Sequence, residues 1–175
     1  WGPRESMVAA AVPSTTGVSQ SVISTPLSLM LGPTVSLAEL PSAVGAAAAW
    51  VLAWPARVSE AGSVLLDAEG PHFSFGASVE EHLADRCAAM LGALHALILA
   101  MVDFPAPILV AVQGQCLGGG LEVALAGTAI TAAPDAQFGQ PEMKLGVFAP
   151  AASVLLPYRV RQPSAEDLLF SGRSI

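Results

Sequence analysis

Two glutamates and a run of glycines are the residues of this chain best suited to chemistry. Gly118, Gly119 and Gly120 follow Gly114 and an apolar stretch, and they lead directly into Leu121 and Glu122. Where a strand passes through glycines into a helix, unhindered backbone N–H groups gather at the helix N-terminus. They can hold an anion, either a phosphate or the oxyanion of an enolate. Spacing disfavours the phosphate loops. A Walker loop needs Gly-Lys-Ser/Thr, whereas Gly120 is followed by Leu121 and Glu122, and the glycines at 114, 118, 119 and 120 do not make Gly-x-Gly-x-x-Gly. Asp135 stands at a tempting distance for a ribose contact, but that spacing carries little without the fingerprint, and Glu122 on the first helical turn would repel a pyrophosphate. Glu142, at the end of Phe138-Gly139-Gln140-Pro141-Glu142, is the second carboxylate. On periodicity alone the plainer readings are favoured: Glu122 as a first-turn glutamate suited to the helix dipole, Glu142 as an exposed loop charge. Two carboxylates beside an oxyanion-holding loop would nonetheless suit water activation and protonation across a polarised double bond.

The other reactive side chains read as structural. Cys116 has no His or basic neighbour in sequence and is expected to be a small core residue, and Cys87 and Cys116 are expected to be free buried thiols. His82 and His95 lie thirteen residues apart and make no zinc pattern, so no metal is expected. His72 is expected on a loop surface.

Gln113-Gly114-Gln115-Cys116-Leu117-Gly118-Gly119-Gly120-Leu121-Glu122, followed by Ala136-Gln137-Phe138-Gly139-Gln140-Pro141-Glu142, closely resembles the signature of the crotonase, or enoyl-CoA hydratase-isomerase, family. His72-Phe73-Ser74-Phe75-Gly76-Ala77 is similar to that family's other characteristic loop, written Phe-Ser-Ala-Gly-Ala-Asp. The resemblance runs from about Val64 to Ile175. It implies an α/β fold of the ClpP/crotonase kind with a repeated ββα spiral core, cut short at the C-terminus. It implies an acyl-CoA thioester substrate, with coenzyme A part of that substrate and no separate cofactor. The N–H groups of Ala77 and Gly119 would form an oxyanion hole for the thioester carbonyl, and Glu122 and Glu142 match the family's two catalytic glutamates. Phe75, Gly76, Gly118, Pro141 and Phe148 would contact the substrate. A homo-trimer or dimer of trimers in the cytoplasm, binding neither nucleic acid nor membrane, completes the expectation.

Keeping both glutamates favours a hydratase over an isomerase, thioesterase or dehalogenase. The stretches 73–82 and 146–153 resemble the branch of the family that adds water to cyclic conjugated dienoyl-CoA thioesters in anaerobic benzoyl-CoA degradation. Hydration of a linear 2-enoyl-CoA is the alternative, and an inactive fragment of the fold is another. Two departures stand out. Ser78 replaces the usual Asp, where it could serve as a helix cap. Ala149-Pro150-Ala151-Ala152-Ser153 replaces Pro-Gly-Ala-Gly-Gly, so no amide is available at Pro150 to position a water. Phe148 and the alanines suggest either an acyl pocket reshaped for a ring or a plain repacking.

The elements that must hold these residues begin at Val64. Val64-Leu65-Leu66 is a strand candidate, and Ser78-Val79-Glu80-Glu81 reads as a capping box. The helix after it places Leu83, Cys87, Met90, Leu91, Leu94, Ile98 and Met101 on one stripe. Phe104-Pro105 breaks it. Ile108–Val112 is a strand buried on both faces, residues 114–120 a loop, 121–126 a helix start, 129–133 a second strand and 138–148 a loop. Further helices are expected from near Ala151 and after Ser164. The alternation predicts layered α/β architecture without a visible internal repeat.

Residues 1–62 form a different text. Arg4, Glu5, Glu39, Arg57 and Glu60 are its only charges, and Pro13, Pro26, Pro33, Pro41 and Pro55 forbid long helices. A short apolar helix at 44–54 is the one candidate, and no element there has a supporting polar face. This segment is expected to be either mistranslated, as from a frameshift in GC-rich DNA, or strongly divergent. Residues 63–175 would then be a partial acyl-CoA domain. The 175 residues favour one domain. A hydrophobic share of 53% against 12% charged suits burial in an oligomer or an incomplete domain. A net charge of −7 with Lys144 as the single lysine leaves no basic stripe for nucleic acid or anionic membrane. Met7–Pro13 after Arg4 is too short for a signal peptide, and no run reaches membrane-spanning length.

Overall fold

The computed structural model describes residues 34–36, 62–77 and 79–175. Its main sheet is wholly parallel, in the order β1 (Thr34–Ser36), β2 (Val64–Asp67), β3 (Ile108–Val112) and β5 (Ala129–Ala132). Between β3 and β5 lies β4 (Gln115–Leu117), which pairs in parallel with β6 (Gln137–Gly139) in a second, smaller sheet. Among the described residues four α-helices follow: α1 (Cys87–Val102), α2 (Gly119–Ala126), α3 (Pro150–Arg159) and α4 (Gln162–Ser171).

A repeat invisible in the sequence emerges here. β3, β4 and α2 form one strand–strand–helix unit, and β5, β6 and α3 form the next. The β3–β5 and β4–β6 pairings stack the two units in register. β2, the Ser74 bridge to Cys116 and α1 repeat the pattern one turn earlier. Parallel pairing requires such crossovers, which is why a helix separates each strand from its partner. The result is the ββα spiral that the motifs implied.

Local chemistry explains the elements. Ile108, Val110 and Val112 are β-branched and almost wholly buried, while Leu109 and Ala111 face a half-buried side. α1 is built from Ala, Leu and Met and buries Met90, Leu94, Leu97, Ile98 and Met101. It stops at Asp103, just before Phe104 and Pro105. The C-terminus of α2 is finished from a distance. The Arg159 guanidinium donates to the Leu125 carbonyl (Nη2, 2.8 Å), to that of Thr128 (Nη1, 3.1 Å) and to that of Gly127. These are carbonyls a helix end leaves without partners.

Several boundaries differ from expectation. α1 begins at Cys87, with Arg86 at its N-cap and no side-chain cap, and Val79–His82 forms a separate 3-10 turn. Leu83 therefore precedes the helix, 56% exposed, instead of joining its buried stripe, and Cys87 is half-buried instead of buried. Ser78, the expected cap, and the candidate helix at 44–54 lie outside the described residues. The 114–120 loop contains β4, and the 138–148 loop contains the end of β6 and a 3-10 turn at Pro141–Leu145. α2 starts two residues early, at Gly119, and α4 starts at Gln162, ahead of Ser164. Three-residue strands are too short to show a period. β1 also falls where the sequence offered no element; it pairs Thr34 with Leu65 and Ser36 with Asp67.

Candidate active site

The small sheet gathers the site. Ser74 donates its N–H to the Gln115 carbonyl and accepts from the Leu117 amide, both at 2.9 Å, so residues 73–75 run beside β4. On the other side the Gly118 amide donates to the Gly139 carbonyl at 3.0 Å, where β6 ends and the Pro141–Leu145 turn begins. The 76–77 loop, the glycine run and Glu142 are thus brought together by backbone hydrogen bonds between segments far apart in sequence.

Glycine is required at two points. Gly118 adopts φ 55° and ψ −130°, a region costly to any residue with a β-carbon, and a β-carbon there would run into the Glu142 carboxyl. At Gly76, with φ 92°, a β-carbon would stand 3.1 Å from the Gly119 nitrogen. The Ala77 nitrogen in turn lies 3.6 Å from where a β-carbon on Gly119 would be. The Ala77 and Gly119 amides therefore border one small space. Gly119 is the first residue of α2, so its N–H is one the helix does not use.

Glu122 is only 3% exposed, on the inner side of α2. Its Oε1 accepts the Ala152 N–H at 2.9 Å. Pro150 opens α3 without an N–H of its own, and the amides of Ala151 and Ala152 turn to the Glu122 carboxyl, which thus caps a neighbouring helix. Burial pushes the Glu122 carboxyl above its ordinary value, while the Ala152 and Ala151 amides, and the charge of His95, pull it back. Glu142 is also pushed up, first by burial and further by the neighbouring Glu122; its own amide and His82 oppose this. Its Oε2 is buried with no hydrogen-bond partner among the described residues. Both carboxyls are thus pushed toward holding a proton, and Glu142 more so in the presence of Glu122.

Of the residues singled out in the sequence, Gly76, Ala77, Gly118, Gly119 and Glu142 come together, with Glu122 coupled electrostatically to Glu142 and Pro141 opening the turn that carries it. Phe75 and Phe148 are each 64% exposed. His72 is exposed as expected, its Nδ1 accepting the Gln115 amide at 3.2 Å and its ring edge-on to Phe75. Cys116 is completely buried, its thiol pushed up to about 12 by burial, in keeping with a core role. Sequence reading missed the Ala151 and Ala152 amides, Gln140, whose side chain donates to the Gly118 carbonyl at 3.4 Å, and the two histidines that act on the glutamates. Pro150 was the available signal, because a proline at N1 announces free amides just after it. Among the described residues no cluster of three or more His, Cys, Asp or Glu could hold a metal ion, and no helix is long and apolar enough to cross a membrane.

The chain belongs to the enoyl-CoA hydratase/isomerase family, whose profile matches residues 55–175. It is 73% identical over 113 residues to a cyclohexa-1,5-dienecarbonyl-CoA hydratase of Thauera aromatica, covering 65% of this chain and 44% of the relative. A probable enoyl-CoA hydratase of Bacillus subtilis is 35% identical over 118 residues, covering 65% of this chain and 46% of that protein. The chain thus spans somewhat under half the length of these two relatives. Among solved structures, an enoyl-CoA hydratase from Polaromonas sp. JS666 superposes with a TM-score of 0.68 at 25% identity, covering 81% of this chain and 60% of that one. A family member from Silicibacter pomeroyi reaches 0.70 at 20% identity, covering 81% and 64%, a likeness of fold alone.

Proposed function

We propose that this chain carries the site of an acyl-CoA hydratase that adds water across a conjugated carbon–carbon double bond. The observation that carries this reading is the pair of carboxyls, Glu122 buried and Glu142 half-buried against Gly118, beside the space bordered by the Ala77 and Gly119 amides. A thioester carbonyl in that space would accept from both amides. As the oxygen of water bonds to the β-carbon, the π electrons move onto the carbonyl oxygen, where the two N–H groups stabilise the developing enolate, an effect worth about 3 kcal/mol per donor. The water's proton passes to a carboxylate, and a carboxylic acid gives a proton to the α-carbon as the enolate collapses. Atoms and charge balance with one proton in and one out.

The environments divide the two roles. Glu122 has the Ala151 and Ala152 amides and His95 to favour its ionised form, so it serves as the base. Glu142, with an oxygen left unpartnered and Glu122 beside it, keeps its proton more readily and serves as the donor.

The substrate proposed is a cyclic conjugated dienoyl-CoA, giving a hydroxycyclohexenoyl-CoA, in anaerobic benzoyl-CoA degradation. The Thauera relative's name and its 73% identity over 113 residues support it. A linear 2-enoyl-CoA is the second reading, favoured by the Bacillus relative's description. Phe75, Gly76, Gly118, Pro141 and Phe148 would contact the acyl-CoA, whose coenzyme A is part of the substrate; a cytoplasmic trimer without a separate cofactor remains the proposed setting.

The test is turnover by the purified chain of cyclohexa-1,5-diene-1-carbonyl-CoA and of crotonyl-CoA, with Glu122→Gln and Glu142→Gln alongside. Faster turnover of the cyclic substrate is expected, and each substitution should cost about a hundredfold or more. Unchanged turnover in either variant removes that residue from the mechanism. A folded wild-type chain inert to both thioesters would favour an inactive fragment of the fold.

A further inference from the structure

Gln140 stands between β6 and the turn that carries Glu142, and it is 1% exposed. Burying a side-chain amide is costly unless its polar ends are paired. Gln140 meets that requirement at one end only. Its Nε2 donates to the Gly118 carbonyl at 3.4 Å, while its Oε1 is buried without a partner among the described residues. A methionine would fill much the same volume without that cost, so packing does not explain the residue. Its target does. The Gly118 carbonyl and the Gly119 N–H are the two ends of one planar peptide unit, so whatever fixes the first aims the second. That N–H borders the space shared with the Ala77 amide.

We propose that Gln140 is a positioning residue that sets the Gly118–Gly119 peptide plane, and through it the aim of the Gly119 N–H toward a thioester carbonyl. The inference rests on the hydratase reading, in which that N–H receives the developing enolate. Residues 139 and 140 grip Gly118 at both ends. The Gly139 carbonyl accepts the Gly118 N–H at 3.0 Å, and the Gln140 side chain reaches the Gly118 carbonyl. Such a grip suits a residue at φ 55° and ψ −130°, outside the regular backbone conformations. The Glu122 amide also donates to the Gly118 carbonyl, at 3.0 Å, from within α2. Gln140 supplies a donor from outside that helix, on the segment that also carries Glu142. At 3.4 Å its bond is long for an amide donor, as catalytic hydrogen bonds often are before substrate binds. Charge gathering on the thioester oxygen polarises the whole peptide, makes the Gly118 carbonyl a stronger acceptor and draws the Gln140 donor in. The bond therefore strengthens with the transition state, and its loss falls on kcat.

The experiment compares the full chain with Gln140→Met, which keeps the volume without a donor, and Gln140→Asn, whose amide is one methylene shorter. With cyclohexa-1,5-diene-1-carbonyl-CoA, each variant should lose about tenfold in kcat with KM held within about twofold, short of the full loss of an oxyanion donor. The carbonyl stretch of bound cyclohexanecarbonyl-CoA, labelled with carbon-13 at the thioester, should rise in frequency in both variants, because a misaimed N–H polarises it less. The Gly119 amide nitrogen-15 resonance should move upfield with no ligand present, reporting a Gly118 carbonyl that has lost a donor. A folded variant whose kcat stays within about twofold of wild type, or whose loss is confined to KM, overturns the proposal. An unmoved Gly119 resonance does the same, and failure of both variants to fold would make Gln140 structural and overturn it too. If the wild-type chain turns over neither thioester, the hydratase reading falls, while the Gly119 resonance still decides whether Gln140 sets that peptide.

Discussion

Glu142 carries a conflict that a stable protein would not choose. Its side chain is half-buried, one carboxyl oxygen is buried with no partner among the described residues, and Glu122 raises its proton affinity further. With its folded-state proton affinity raised, Glu142 makes its full contribution to stability below the ordinary glutamate range, near pH 4. That contribution is lost as the pH rises through the raised value, because the charged form is disfavoured in the fold. Glu142→Gln cannot ionise and escapes this loss. Urea denaturation should therefore find Glu142→Gln gaining on wild type as the pH rises from about 4 to 7, while its turnover collapses. A variant that is both inactive and no more stable at neutral pH would sink this account. Such an opposition between stability and chemistry is the usual mark of a site. At the residue scale the glutamates, glycines and Ala77 were legible through the family motifs they match, since periodicity alone favoured plainer readings of both glutamates. His95 and the Ala151 and Ala152 amides were not, since neither a histidine in an apolar helix nor a backbone N–H leaves a trace in residue identity.

At the scale of elements, α2 is held at both ends by groups from elsewhere. Glu122 in its first turn links it to the start of α3, and Arg159 at the end of α3 returns to the Leu125, Gly127 and Thr128 carbonyls at its finish. Replacing Arg159 with Ala leaves several carbonyls without a charged donor. A loss of about 2 kcal/mol is expected in urea unfolding, from the ordinary worth of hydrogen bonds to a charged group. Turnover should fall less than in either glutamate variant, because Arg159 stands at the far end of α2 from the glycines. α1 announces itself by apolar period and β3 by an unbroken apolar run. The three-residue strands β4 and β6 do not, and yet they align the glycine run with Glu142. Their identity is set by tertiary pairing, which local propensity cannot express.

At the scale of the whole molecule, several large apolar side chains stand exposed among the described residues. Val154, Tyr158 and Phe170 on α3 and α4 are 62%, 84% and 70% exposed, and so large an apolar share on one helical pair is suited to burial against another chain. Sedimentation should show self-association, weakened when Tyr158 and Phe170 are both replaced by Glu; a monomer at all concentrations would exclude assembly through this face. The layered α/β class was readable from the alternation of apolar runs, and the spiral was implied by the motifs. The recurrence of the strand–strand–helix unit was not, because its successive copies share geometry without sharing residues.

The small sheet that joins Ser74, β4 and β6 extends through a Gly139–Ser174 bridge and a pair of 2.9 Å bonds between Phe138 and Ile175. Every seam in it connects stretches that are remote along the chain, so each demands a large loop to close before any contact is gained. No short peptide cut from this sequence can reconstitute the reacting pocket, however faithfully it preserves the glycine run. On the proposed hydratase reading, assembly of the site is thereby a late event in folding. A kinetic experiment that follows secondary structure and turnover together should see helices first and chemistry last.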